Sequence, residues 1–83
     1  MHLEVLTPQK RLFEGTIVSV QLSGTKGSFQ ILNNHAPFLS SLGKGKIKIE
    51  TTKNSTPTTF SIEKGFVQVV NNKTIILIDK AVS

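Results

Sequence analysis

The sequence predicts an all-β domain, a small flattened β-sandwich or barrel of about eight to ten short strands. Three observations predict it. Val, Ile and Thr contribute 7, 8 and 9 of the 83 residues, and side chains branched at Cβ fit a pleated surface better than a helix. Alanine, the best helix former, stands only at positions 36 and 81. Short apolar/polar alternations are separated by turn residues every ~8–12 positions, the spacing of small sandwiches and barrels, and no segment keeps a helical repeat over three turns.

Each element follows in order. Leu3 and Val5 alternate with His2 and Glu4 until Pro8 stops the run. Leu12-Phe13 leads to Gly15, after which Val18, Val20 and Leu22 alternate with Ser19 and Gln21. Gly24-Thr25-Lys26-Gly27 supplies glycines where a hairpin needs positive φ. Phe29 and Ile31 alternate up to the polar break Asn33-Asn34, and Phe38, Leu39 and Leu42 form a patch closed by Gly43-Lys44-Gly45. Ile47 and Ile49 alternate with Lys46, Lys48 and Glu50, giving one buried and one charged face. Residues 51–59 carry no large apolar side chain and read as a loose loop. Phe60 and Ile62 lead to Lys64-Gly65, a break before the strand Phe66 to Val70. Asn71-Asn72 fits a type I′ turn, because Asn tolerates the left-handed region. Thr74 to Ile78 is almost continuously apolar, which predicts burial on both faces or a central position.

At 83 residues and 9.1 kDa the chain reads as a single domain, 1–83, with a thin core. The absence of cysteine excludes a disulfide framework, a cysteine-ligated zinc site and thiol catalysis. No apolar run approaches the ~18 residues of a membrane helix, and Met1-His2-Leu3-Glu4 lacks the layout of a signal peptide. Ten Lys+Arg against five Asp+Glu leave a net charge of +5, which favours an anionic partner. The one local cluster of charge is Lys44, Lys46 and Lys48. This balance suggests, as an alternative, a basic nucleic-acid-binding barrel of the OB or cold-shock type. Against it, Tyr and Trp are absent and Phe13, Phe29, Phe38, Phe60 and Phe66 are scattered over separate segments, whereas stacking platforms group aromatics on one face.

Chemistry finds little to work with. Glu4, Glu14, Glu50, Glu63 and Asp79 are dispersed and read as solvated strand-face charges. His2 and His35 are the only imidazoles, too few for a metal site built on three or four ligands. His35 lies in the turn Asn33-Asn34-His35-Ala36-Pro37 and suits either a local hydrogen bond or an interface contact. No helix follows Gly24/Gly27 or Gly43/Gly45 to complete a phosphate-binding loop, and Ser40-Ser41 lacks a nucleophile elbow. No enzyme, cofactor or metal is expected. A small β module that binds something remains.

The run from Gly24 to Leu39, with Gly27-Ser28-Phe29-Gln30-Ile31 and His35-Ala36-Pro37-Phe38-Leu39, resembles the amino-terminal domain of the epsilon subunit of bacterial F-type ATP synthase. The resemblance extends to His2-Leu3-Glu4-Val5-Leu6-Thr7-Pro8, Leu12-Phe13-Glu14-Gly15, Gly45-Lys46-Ile47-Lys48-Ile49, Gly65-Phe66-Val67-Gln68-Val69 and Asn72-Lys73-Thr74-Ile75-Ile76-Leu77-Ile78-Asp79, nearly the whole chain. Gln30 stands where the family has glycine, and Asn33-Asn34 where it has Pro-Gly. The resemblance implies a β-sandwich, and because the sequence stops at Ser83, where the family's C-terminal helical hairpin would begin, the expectation is the naturally short form of the subunit, with a truncated chain as the alternative.

It further implies a non-catalytic rotor subunit in the central stalk, linking gamma to the c-ring and coupling proton-driven rotation to ATP synthesis. The protein would be peripheral to the membrane through the complex, on the cytoplasmic face of the bacterial inner membrane. Carried over position by position, Lys26, Gly27, Ser28, Phe29 and His35 would approach the c-ring. Thr7, Pro8, Phe38 and Ser40 would face gamma, with burial in the core an equal expectation for Phe38. No nucleotide is expected to bind, because the family's ATP-sensing residues belong to the hairpin.

Overall fold

The computed structural model describes residues 1–24, 27–32, 36–52 and 56–82. Eight strands are formed among them: β1 (His2–Leu6), β2 (Arg11–Thr16), β3 (Ser19–Gly24), β4 (Gly27–Leu32), β5 (Phe38–Leu42), β6 (Gly45–Glu50), β7 (Thr58–Val70) and β8 (Lys73–Val82). No described residue is helical. The strands make one continuous hydrogen-bonded sheet in the order β2-β1-β8-β7-β5-β3-β4, with β6 bridging β3 and β7. All pairings are antiparallel except β1 with β8. The first and last strands therefore lie side by side, Leu3 against Thr74 and Leu6 against Leu77.

The sheet closes over its own core because β7 belongs to two layers. Its first half pairs with β6, from Thr58 opposite Ile49 to Ile62 opposite Gly45. Its second half pairs with β5 on one side and β8 on the other. A straight strand of 13 residues would run roughly 43 Å, yet the molecule measures only 27 × 25 × 24 Å. The strand must bend, and its register with β8 slips on both sides of Lys64, skipping Glu63 on β7 and then Asp79 on β8, and such irregularities sharpen the local twist. The segment around Lys64 and Gly65 is thus a pairing irregularity inside one long strand rather than a break between two. Gly65 is required there, since a Cβ would meet the carbonyl oxygen of Leu77 at 2.5 Å.

One layer, β2-β1-β8 with the second half of β7 and β5, turns Leu3, Val5, Val67, Val69, Ile76 and Ile78 inward. The other, β4-β3-β6 with the first half of β7, contributes Val20, Leu22, Ile31, Ile47, Ile49 and Ile62. The buried core is entirely aliphatic, and Phe13, Phe29, Phe38 and Phe60 pack against it from partly exposed positions. Of the buried polar groups, Thr74 donates its hydroxyl to Met1 Sδ at 3.1 Å. The amino terminus is pinned as well, Ile17 N–H donating to the Met1 carbonyl at 2.8 Å.

The turns form where the sequence places them. Gly24 pairs with Gly27, whose φ of 129° suits glycine, and Asn71 and Asn72 take φ of 52° and 60° to join β7 to β8. Two expectations change. The loop after β6 ends at Pro57, because Thr58 and Thr59 pair with Ile49 and Lys48. Thr74 to Ile78 is central in the sheet but buried on one face only: Thr74, Ile76 and Ile78 point inward, whereas Leu77 is 50% exposed. An unbroken apolar run hides this alternation, since the outward residues are as hydrophobic as the inward ones.

Candidate functional site

The turn between β1 and β2 is held by Thr7. Its N–H donates to the Lys10 carbonyl at 2.8 Å, and its hydroxyl donates to the same carbonyl while accepting the Lys10 N–H, both at 3.1 Å. Pro8, Gln9 and Lys10 are thereby presented to solvent on a fixed loop. Beside it, the register sets Leu6 of β1 against Leu77 of β8, and Leu77 against Phe66 of β7. Alternation sends Val67, Ile76 and Ile78 inward and leaves Phe66 and Leu77 47% and 50% exposed. Together with Thr7, Pro8, Ile78, Lys64 and Asp79 they line a hollow of ≈ 500 Å³. The Lys64 ammonium lies 3.7 Å from the Asp79 carboxylate, both well exposed, so the hollow has an apolar floor and a charged rim, the anatomy of a protein-binding surface.

The remaining sequence-derived contacts fall elsewhere. Gly27 and Ser28 are exposed at the start of β4. Phe29 is half-buried and meets Phe38 edge to face, with ring centroids 5.7 Å apart at 71°. Phe38 and Ser40 lie opposite Val69 and Val67, on the core-facing side of β5, and Phe38 packs against the core. The outward residue between them is Leu39, 71% exposed. Ser40 donates its hydroxyl to the Ser41 carbonyl at 3.2 Å. Lys26 and His35 lie outside the described residues. The structure therefore joins Thr7 and Pro8 to one surface and Phe29 to Phe38. It does not gather Thr7, Pro8, Phe38 and Ser40 into a single cluster.

Sequence reasoning missed Leu6, Phe66 and Leu77. The parity of Val67 and Val69 would have turned Phe66 outward, had β7 been read as one strand pairing with β8.

Charges distant in sequence also converge. His2 Nε2 lies 3.9 Å from Glu4 Oε1 and 3.4 Å from Glu14 Oε2, because Glu4 pairs across the strands with Glu14. These three groups have ligand atoms within 4.8 Å of one another, yet the carboxylates are already matched by cations. Arg11 Nη1 is 2.6 Å from Glu14 Oε1, and Lys73 Nζ is 3.5 Å from Glu4 Oε1. A divalent ion would have to displace or oppose both. The arrangement is a surface ion-pair network.

Comparison with known proteins decides the family. The model of the ATP synthase delta/epsilon chain β-sandwich domain matches residues 1–83. The chain belongs to this family. An ATP synthase epsilon chain of Chlorobium limicola is 43% identical over 75 residues, covering 90% of this chain and 84% of that one. The epsilon chain of Chlorobaculum tepidum is 42% identical over 78 residues, covering 94% and 88%. Among solved structures, the central stalk/c-ring of the Tetrahymena thermophila mitochondrial ATP synthase contains a chain that superposes with a TM-score of 0.81 at 24% identity. All of this epsilon-family chain is covered, and 66% of the Tetrahymena one. At that identity the likeness establishes the fold, an all-β sandwich as the sequence predicted.

Proposed function

We propose that this protein is the epsilon-type rotor subunit of an F1Fo ATP synthase. In this role it links the gamma subunit to the c-ring, couples proton-driven rotation to ATP synthesis, and performs no chemical step itself. Membership of the delta/epsilon family supports the assignment over a nucleic-acid-binding barrel. So does the placement of the aromatics: Phe13, Phe29, Phe38 and Phe60 pack against the core from partly exposed positions on four different strands, whereas stacking platforms group aromatics on one outward face. The protein would sit at the cytoplasmic face of the bacterial inner membrane, attached through the complex.

The observation that carries the docking reading is the hollow of Leu6, Pro8, Phe66 and Leu77 beside the Thr7 turn. Completing the burial of half-exposed Phe66 and Leu77 is worth ~1 kcal/mol each, and an aromatic in a rimmed hollow is the usual anchor of an interface. Gamma occupies this surface, with Thr7 and Pro8 as contacts. Phe38 and Ser40 support the fold from the inner side of β5. The c-ring meets the β3–β4 hairpin through Lys26, Gly27 and Ser28, assisted by Phe29 and His35. Rotation needs a coupler that does not deform, and a sheet closed over an aliphatic core meets that need, since packed interiors have low compressibility and transmit strain.

Co-expression with gamma and reconstitution with the c-ring test the proposal. Phe66→Glu with Leu77→Glu is expected to abolish co-purification with gamma while leaving the β-sheet circular dichroism unchanged. Ser28→Trp is expected to keep gamma bound and lower ATP-driven proton pumping relative to hydrolysis. Gamma retained by the double glutamate variant refutes the docking surface, and unimpaired pumping by Ser28→Trp refutes the c-ring contact.

A further inference from the structure

Lys44, Lys46 and Lys48, the sequence's one local cluster of charge, take no part in the surfaces described above. Alternation on β6 turns Ile47 and Ile49 into the core and Lys46 and Lys48 outward. Two residues along a strand, the lysines are spaced by ~6.7 Å. Across the strands Lys48 lies beside Gln21 of β3 and Thr59 of β7. Lys46 and Lys48 share a shallow polar hollow of ≈ 400 Å³ with Gln21, Ser23, Ser28 and Thr59, and Lys44 flanks Lys46 in a neighbouring depression. Among the described residues none of the three lysines forms a salt bridge. The acidic groups that do are engaged elsewhere, Glu4 and Glu14 with His2, Lys73 and Arg11, and Asp79 with Lys64. Glu50 closes the outward row at the far end of β6.

We propose that this outer face docks an extended acidic segment of a partner protein, one bearing Asp or Glu at alternate positions. Charge complementarity argues for this occupant. A row of ammonium groups that form no salt bridge among the described residues meets carboxylates that repeat at the same interval along an extended chain. The hydroxyls of Ser23 and Thr59 and the amide of Gln21 supply neutral hydrogen-bond partners for that segment's main chain. A nucleic acid fits less well, because none of the residues lining the hollow is aromatic. A lipid surface also fits less well: three lysines fall short of the ~4–8 that mark recognition of anionic lipids. The inference is independent of the gamma-docking reading, since it concerns the other layer of the sandwich.

Fluorescence anisotropy of the whole chain with two labelled peptides of equal composition tests it, one alternating Glu and Thr and one carrying its Glu residues in a single block. The alternating peptide is expected to bind about 10-fold more tightly at low salt, a difference of ~1.4 kcal/mol. Lys46→Gln with Lys48→Gln is expected to remove that preference, and Lys64→Gln with Lys73→Gln to preserve it. Lys48→Gln alone, expected to halve the preference or more, serves if the double variant is poorly folded. Equal binding of the two peptides, or equal loss in both double variants, overturns the proposal in favour of non-specific attraction. Displacement of the alternating peptide by pyrophosphate, or by phosphatidylglycerol vesicles, below the concentration at which the peptide itself binds overturns it in favour of a phosphate-bearing ligand.

Discussion

The two layers of the sandwich present the same interior and opposite exteriors. Inside, β1, β7 and β8 contribute Leu3, Val67 and Ile76 much as β3, β4 and β6 contribute Val20, Ile31 and Ile47. Outside, the first layer shows Leu6, Phe66 and Leu77, and the second shows Gln21, Lys46, Lys48 and Thr59. Folding requires only that alternate positions be apolar and fit together. The intervening positions have no such duty, so their chemistry is free to specify partners. Phe66 and Val67 are neighbours in sequence and both hydrophobic, yet one holds the domain together and the other is available for contact.

The largest effects are expected inside. Gly65→Ala forces a Cβ against the Leu77 carbonyl, and because that obstacle is backbone within a pairing, the β7–β8 ladder must part. A loss of ~2–3 kcal/mol, as for overpacking in a rigid site, is expected in urea denaturation. Ile76→Ala, at a fully buried position, should cost about 2–5 kcal/mol from lost burial and the cavity left behind. If either is neutral, the β7–β8 pairing or the layer assignment is wrong.

The outer face of the first layer sharpens the comparison. Phe66→Ala should weaken binding to gamma by ~2 kcal/mol, the scale of an interface anchor. Its effect on stability should be well below that of Ile76→Ala, read from titration and denaturation of the same variant. Smaller still is the charge network at the sheet edge: Glu4→Gln breaks the contacts to Lys73 and His2 and should change stability by ~0.5–1 kcal/mol, as partly exposed ion pairs do. The smallest change is expected on the second layer. Lys46→Gln with Lys48→Gln should move stability by no more than ~0.5 kcal/mol, since neither lysine has a described partner to lose. A large loss there would give those lysines a folding role and erase the contrast between the faces.

Much of this was legible before any coordinates. The absence of helical periodicity, the Val, Ile and Thr content and the Gly and Asn turns dictated strands in nearly their observed places. Leu3, Val5, Ile47 and Ile49 could be assigned inward from alternation with polar neighbours. Where polar neighbours were missing, the parity was hidden, as at Ile75 to Ile78. Lys64-Gly65 read as a break because a pairing irregularity uses the same residue types as a turn, and only pairing with β8 distinguishes them. Of the site residues carried by resemblance, Thr7 and Pro8 join an exposed surface, whereas Phe38 and Ser40 are placed on the inner side of β5 by their partners Val69 and Val67.

Local chemistry alone therefore determined that this chain is all-β, which residues make its turns, and that its charge gathers on β6. Steric preference at Cβ and two-residue alternation act between neighbours and need no knowledge of the rest of the molecule. Tertiary structure decided what stands beside what. Leu6, Phe66 and Leu77 become one hollow, and His2, Glu4, Glu14 and Lys73 one network, only because β1 lies parallel to β8 and β7 bends between layers. Such adjacency is a property of strand pairing over long separations, set by how the whole set of apolar faces can be buried together, and no short stretch of sequence contains it.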